Sequence, residues 1–163
     1  MAVELFRIDD RLIHGQVVVG WGQPLDIQRI VMVDDAVAAS EWERELYRMG
    51  VPEEMSVEFL TVDAALAALD AILADARRTI VLTGDVETMR RLVAGSAGRI
   101  TTVNIGGLHH RSGRAPCLRY VYLTPEEREG LQAIESLGVT VTAQDVPVCD
   151  PVPLSDVLAS TGA

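Results

Sequence analysis

The order of short apolar runs and helical patterns constrains this chain more than its composition does. Residues 3–7, 29–33, 56–61, 79–82, 99–103, 119–122 and 139–143 read as strands, and helical periodicity fills the spaces between them. Val62, Ala65, Leu66, Leu69, Ile72 and Leu73 recur at three- and four-residue spacing, one apolar stripe on one helix. Later, Thr124 caps a helix, Pro125 takes its first turn, Glu127 completes a capping box and Gly138 ends it. Ser40 and Glu43 fit a second box, with Asp35 as an equally good earlier cap. A βαβ alternation of this kind specifies a three-layer α/β fold, an open, mostly parallel sheet of about seven strands with helices on both faces. No linker or repeat divides residues 1–163, so one domain is expected. Residues 105–117 form the longest irregular stretch, and a short helix is expected over 154–159.

With 48% hydrophobic but only 4% aromatic residues, the core must be aliphatic. The formal net charge of −10 repels nucleic acid, so no nucleic-acid partner is expected. Every basic residue other than histidine is an arginine. No apolar run approaches the roughly 20 residues that span a bilayer and no signal-peptide pattern opens the chain, which points to a soluble, cytoplasmic protein. Cys117 and Cys149 lack metal or CxxC spacing and read as reduced and structural.

In an open parallel sheet, ligands gather beyond the carboxyl ends of the strands. Four strand ends deliver polar residues there: Asp9, Asp10, Arg11 and His14; Asp34 and Asp35; Thr83, Gly84 and Asp85; and Asn104, Gly106 and Gly107. Which of these are neighbours depends on a strand order that the sequence does not reveal. His14 is the candidate nucleophile, a phosphohistidine, because neutral imidazole attacks at ordinary pH. Its attacking nitrogen needs a lone pair while the other holds a proton against Asp9 or Asp10. Arg11 suits phosphoryl charge, and the amides of Gly15 and Gln16 suit a phosphate cradle. The structural alternatives are a histidine beside a turn, an Arg11 salt bridge to Asp9 or Asp10, and helix capping by Asp34 and Asp35.

The run Arg7-Ile8-Asp9-Asp10-Arg11-Leu12-Ile13-His14-Gly15-Gln16-Val17 closely resembles the opening of the IIB components of the mannose/fructose/sorbose family of the bacterial sugar phosphotransferase system (PTS). Val33-Asp34-Asp35-Ala36, Thr102-Val103-Asn104-Ile105-Gly106-Gly107, Tyr122-Leu123-Thr124-Pro125 and Gln144-Asp145-Val146-Pro147 are similar to later family segments in the same order. The resemblance implies a phosphocarrier that accepts a phosphoryl group on Nδ1 of His14 from a IIA protein. It would then give the group to a sugar on a membrane IIC/IID transporter, with no cofactor or metal, at the cytoplasmic membrane face. Other PTS IIB classes use a cysteine near the end of the first strand, where this chain has neither of its two.

Two alternatives go with it: a stand-alone regulatory phosphoacceptor, and an anion-binding relative without phosphotransfer. The chain departs from the family at His109-His110-Arg111, which reads as solvated loop, as docking or transfer residues, or as part of a zinc site with His14. Ser112-Gly113-Arg114-Ala115-Pro116 replaces a lysine-rich stretch and thins the basic charge there. Neither the sugar nor the oligomeric state is legible.

Overall fold

β-branched and aliphatic residues run almost unbroken through the central strands, and this is what buries a parallel sheet on both faces. In the computed structural model, which describes residues 3–160, the strands are β1 (Val3–Ile8), β2 (Arg29–Val33), β3 (Ser56–Leu60), β4 (Thr79–Thr83), β5 (Thr102–Ile105), β6 (Ala115–Leu118), β7 (Val121–Leu123), β8 (Thr140–Ala143) and β9 (Val152–Pro153). The α-helices are α1 (Asp35–Ala38), α2 (Glu41–Met49), α3 (Val62–Ala67), α4 (Leu69–Ala74), α5 (Val86–Gly95), α6 (Pro125–Ser136) and α7 (Leu154–Ala159). A π-helical turn over Gln16–Trp21 follows the first strand. The main sheet runs β3-β2-β4-β1-β5-β8-β9 and is parallel except for the last pair.

Alternate residues of the strands point to opposite faces and separate two apolar clusters. Phe6, Ile8, Val31, Val33 and Val81 pack with Val62, Leu69, Met89, Leu92, Leu131, Ile134 and Val157 of the helices on one side. Ile30, Met32, Ile80 and Leu82 pack on the other side with Ile13, Val17, Val18 and Trp21. Arg7 follows the register of the second set, so the strand itself aims a charged side chain into the layer beneath the π-helical turn. That turn depends on a glycine: a Cβ at Gly22 would lie 2.2 Å from the Val18 carbonyl oxygen. Gly22 N–H donates five residues back to the Val17 carbonyl at 2.9 Å, the defining bond of a π-turn.

Most expected elements are present, and three differ. Residues 119–122 do not join the parallel sheet, because β7 forms a separate antiparallel hairpin with β6. A connection as short as Arg119-Tyr120 joins antiparallel neighbours only, since a parallel crossover needs about a dozen residues. The seventh strand of the sheet is instead β9, whose Pro153 is tolerated at an edge. The helix expected to carry the Val62–Leu73 stripe is broken at Ala68, which serves as C-cap of α3 and N-cap of α4. Val62, Ala65, Leu69 and Ile72 are nevertheless buried together. The expected domain extended to residue 163; residues 1–2 and 161–163 lie outside the described residues.

The capping box of α6 is fully formed. Glu127 N–H donates to Thr124 Oγ1 at 3.0 Å and Thr124 N–H donates to Glu127 Oε1 at 2.8 Å. Asp34, rather than Asp35, caps α1 by accepting from Val37 N–H at 2.9 Å. Asp35 reaches across to the Val62 N–H at 2.9 Å, tying α1 to α3. Replacing Thr124 by alanine is expected to lower the unfolding free energy by about 1 kcal/mol, read from urea denaturation at pH 7. An unchanged midpoint would mean that the cap contributes nothing.

Candidate functional site

The strand order places β1 between β4 and β5, so the β1–loop junction is flanked by Thr83 on one side and Asn104 to Gly107 on the other. Asp9 N–H donates to the Thr83 carbonyl at 2.9 Å, Gly106 N–H to the Ile8 carbonyl at 2.7 Å, and Asp10 N–H to the Gly107 carbonyl at 2.8 Å. The sheet therefore continues its pairing into the loop, and the two aspartates leave it on a rigid base. Leu12 then turns the chain with a left-handed φ of 57°, a costly conformation for a leucine. Its side chain is buried against Gly84, where a glycine Cβ would come within 3.1 Å of Leu12 Cδ2.

Beneath this loop lies Arg7, 0% exposed. Its guanidinium hydrogen-bonds Asn104 Oδ1. It also donates to the Gln144 carbonyl at 2.9 Å and the Asp145 carbonyl at 3.2 Å, and reaches Asp9 Oδ2 at 3.5 Å. The planar group stacks 4.6 Å from the Trp21 ring, whose indole N–H donates to the Asp145 carbonyl at 3.1 Å. Burial lowers the Arg7 pKa to about 10 against the opposing charges of Asp9 and Asp145, so Arg7 remains a cation at neutral pH.

Asp9 collects donors from every side. Oδ1 accepts from the Arg11 backbone N–H at 3.1 Å and Arg11 Nε at 3.3 Å, and Oδ2 accepts from Gly107 N–H at 3.2 Å and Arg11 Nη2 at 3.4 Å. His14 Nε2 faces Oδ1 at 3.4 Å. Burial would raise the Asp9 pKa, but the adjacent His14 imidazole, hydrogen bonds from Arg11 and the nearby positive charges outweigh it and hold the carboxyl well below the usual range. Asp9 is thus an acceptor-only carboxylate, and Nε2 is the His14 nitrogen turned toward it. The His14 side chain is 17% exposed and that of Arg11 is 35% exposed, so the two remain accessible beside a completely buried acid.

Asp10 serves a different histidine. Its Oδ2 accepts from His109 N–H at 2.8 Å and from Arg114 Nη1 at 3.1 Å, while Oδ1 lies 2.7 Å from His109 Nδ1. Burial opposes ionisation of Asp10, yet these bonds lower its pKa. Arg114 is buried and also grips Glu127 with two nitrogens at 2.9 and 2.8 Å.

The structure thus brings together Asp9, Asp10, Arg11, His14, Asn104, Gly106 and Gly107. Gly15 and Gln16 sit at the start of the π-helical turn. The structural alternative for Arg11, a salt bridge to Asp9 or Asp10, is present with Asp9 as its partner, formed from a partly exposed position. The solvated-loop reading of His109 is corrected, because the Asp10 side chain captures both its ring and its backbone. His110 is exposed and meets the Tyr122 ring edge-on at 5.8 Å, so the two histidines diverge and do not form a joint metal site with His14 among the described residues. Among the described residues no group of three or more His, Cys, Asp or Glu side chains is arranged to hold a metal. Arg114 faces inward rather than toward a partner. Both cysteines are free thiols, but only Cys117 is buried; Cys149 is exposed, against the structural role expected of it. Sequence reasoning assigned no role to Arg7 or Trp21. A charge inside an otherwise apolar strand was the available signal for Arg7, whereas a tryptophan thirteen residues after the β1 terminus gave none.

Sequence and structure comparisons identify the family to which this fold and its acid-rich β1 loop belong. Residues 3–163 match the family described as PTS system sorbose subfamily IIB component. The chain is 34% identical over 154 residues to the sorbose-specific EIIB component of Klebsiella pneumoniae, covering 93% of this chain and 91% of that protein. It is 32% identical over 146 residues to the N-acetylgalactosamine-specific IIB component 1 of Escherichia coli K12, covering 88% and 90% respectively. The crystal structure of the IIBSor domain of the K. pneumoniae sorbose permease superposes with a TM-score of 0.87 at 30% identity, covering 98% of this chain and 97% of that one. This chain belongs to the sorbose-type IIB family, the mannose/fructose/sorbose branch of the phosphotransferase system, and is a component of sugar phosphotransfer.

Two outcomes follow from the site. A Cβ at Gly106 would stand 2.3 Å from Arg7 Nη2, so Gly106→Ala is expected to cost about 1–3 kcal/mol of unfolding free energy in denaturant titration. Because the folded pKa of Asp9 lies below its unfolded value, its contribution to stability is present above about pH 4 and is lost as the pH falls below it. Chemical denaturation between pH 7 and pH 2 should therefore show a steeper acid loss for the wild type than for Asp9→Asn; equal slopes would remove Asp9 from the acid response.

Proposed function

We propose that His14 is the phosphoacceptor of this IIB component and that Nδ1 is the reacting atom. The observation that carries this reading is the approach of His14 Nε2 to Asp9 Oδ1 at 3.4 Å. A carboxylate held ionised by its surroundings fixes the proton on Nε2, and Nδ1 keeps the in-plane lone pair. In the forward step, Nδ1 attacks the phosphorus carried by a phosphohistidine of a IIA protein. The new N–P bond forms as the donor's N–P bond breaks in line. In the second step, a sugar hydroxyl presented by a membrane IIC/IID complex attacks the same phosphorus, loses its proton, and returns the electron pair to Nδ1. Charge spreads over three phosphoryl oxygens in each transfer, so catalysis is mostly positioning and electrostatics.

Arg11 supplies that stabilisation. Three of its nitrogens engage Asp9, which orients the guanidinium beside His14 while a third of the side chain stays open. Asp9 therefore acts on both partners, setting the tautomer of the nucleophile and the pose of the cation. Homology to a mannose-specific EIIAB component of E. coli, 27% identical over 159 residues and 49% of that protein's length, supports a IIA protein as the donor. No helix among the described residues is long and apolar enough to cross a membrane, which fits a partner-borne membrane step at the cytoplasmic face.

Intact-protein mass after incubation with a phosphorylated IIA protein tests the assignment. One added phosphate, labile in acid and stable in base, is expected on the wild type and absent from His14→Ala. Arg11→Ala should transfer about 10²-fold more slowly with its fold intact. A normal rate in that variant would take the arginine out of the mechanism, and phosphate on His14→Ala would place the acceptor elsewhere.

A further inference from the structure

Two consecutive aspartates at the end of β1 each hold a histidine, but by opposite ring nitrogens. Asp9 faces Nε2 of His14 at 3.4 Å, and Asp10 faces Nδ1 of His109 at 2.7 Å. The loop carrying His109 does not need that ring bond as an anchor. His109 N–H already donates to Asp10 Oδ2 at 2.8 Å, and the His109 carbonyl accepts from Arg114 Nη1 at 2.7 Å. What the bond from Asp10 Oδ1 adds is the orientation of the imidazole. With an ionised acid on Nδ1, that nitrogen carries the proton, and Nε2 is left as the working position.

Gly107 reveals where that position lies. A Cβ there would stand 2.4 Å from His109 Cε1, 3.2 Å from His109 Nε2 and 3.1 Å from Arg11 Nη2. The Cε1–Nε2 edge of His109 and the terminal nitrogen of Arg11 thus flank the same point, over the glycine whose own N–H donates to Asp9. Only a residue without a side chain admits both groups. The His109 side chain is 45% exposed, so its outer edge can meet an arriving group.

We propose that His109 is a second imidazole of the phosphoryl-transfer site, oriented by Asp10, which works with Arg11 to hold the phosphoryl group on His14. The inference rests on His14 as phosphoacceptor and adds a residue to it. When the phosphoryl group arrives, Nε2 takes up a hydronium proton from bulk solvent, leaving water, and the imidazolium donates N–H to a phosphoryl oxygen; the proton goes back to solvent when the group leaves. His109 forms no bond to phosphorus. The charges around it are Asp10, Arg11, Arg111, whose Nη2 is 3.9 Å from Asp10, and Arg114 with Glu127 behind it.

The test compares wild type, His109→Asn, His109→Gln, His110→Ala and His14→Ala, each with a phosphorylated IIA protein as donor in rapid-quench transfer. Asparagine can still donate to Asp10 but has nothing at the Nε2 position, whereas glutamine reaches toward it. His109→Asn should melt near the wild type yet transfer roughly tenfold more slowly, with part of the rate regained in His109→Gln. The ³¹P resonance of phospho-His14 should also move in His109→Asn, a change that a loop anchor would not produce. His110→Ala, whose ring packs away on Tyr122, should match the wild type. Wild-type rate and resonance in both His109 variants would reduce the Asp10–His109 pair to an anchor, leaving the His14 assignment intact. A wild type that gains no phosphate would instead overturn the relay itself, and this inference with it.

Discussion

The buried contact between Arg7 and Asp9 is the constraint on which the rest of the site depends. Both side chains are fully shielded from water, where isolated charges would be prohibitively costly. The surroundings offset this by supplying partners: Asn104 and two carbonyls for the terminal nitrogens of the cation, whose Nε is left without one among the described residues, and Gly107 and Arg11 for the anion. Stacking on Trp21 covers the guanidinium face, which cannot hydrogen-bond. These partners come from four segments, so satisfying one charge pair ties β1, β5, the segment after β8 and the π-helical turn into a single arrangement.

Glycines at two positions follow directly from that arrangement. Gly106 has no room for a Cβ because Arg7 passes beneath it, and Gly107 has none because His109 lies above it. The Asn-x-Gly-Gly pattern is therefore steric as much as conformational. It lets a buried cation and a partly exposed imidazole approach the same two residues from opposite sides. Leu12 contributes in a complementary way, by holding a left-handed backbone turn through burial of its side chain.

How far the sequence discloses this depends on the range of the interaction. Strands β1, β2, β4 and β8, the capping box at Thr124 and the helix at 154–159 are legible because each is written in local periodicity or cap chemistry. Residues 119–122 misled because an apolar run alone does not distinguish a sheet strand from a hairpin strand. The identity of His14 and Arg11 as site candidates is legible in the motif, and so is the use of Asp34 as a cap. The division of labour between Asp9 and Asp10 is not. Nothing local reveals that adjacent acids serve histidines five and ninety-nine residues away, since that pairing exists only once β1 and β5 are neighbours. Arg114 reads as a surface charge for the same reason, until Asp10 and Glu127 enclose it.

That dependence on distant neighbours has a kinetic side. The groups around Arg7 are joined through contacts spanning 97, 137 and 138 residues, among the longest loops this chain can close. Contacts of such separation come late, because the entropy of closing the loops must be met before they reward it. A chain still missing β5 or β8 has Arg7 and Asp9 but lacks the groups that hold them in place: Asn104 and Gly107 on one side, and the carbonyls of Gln144 and Asp145 on the other. On the proposed assignment of His14, phosphoryl carriage would be a property acquired only with the completed sheet, and a truncated or half-folded copy would be silent in the relay rather than miswired.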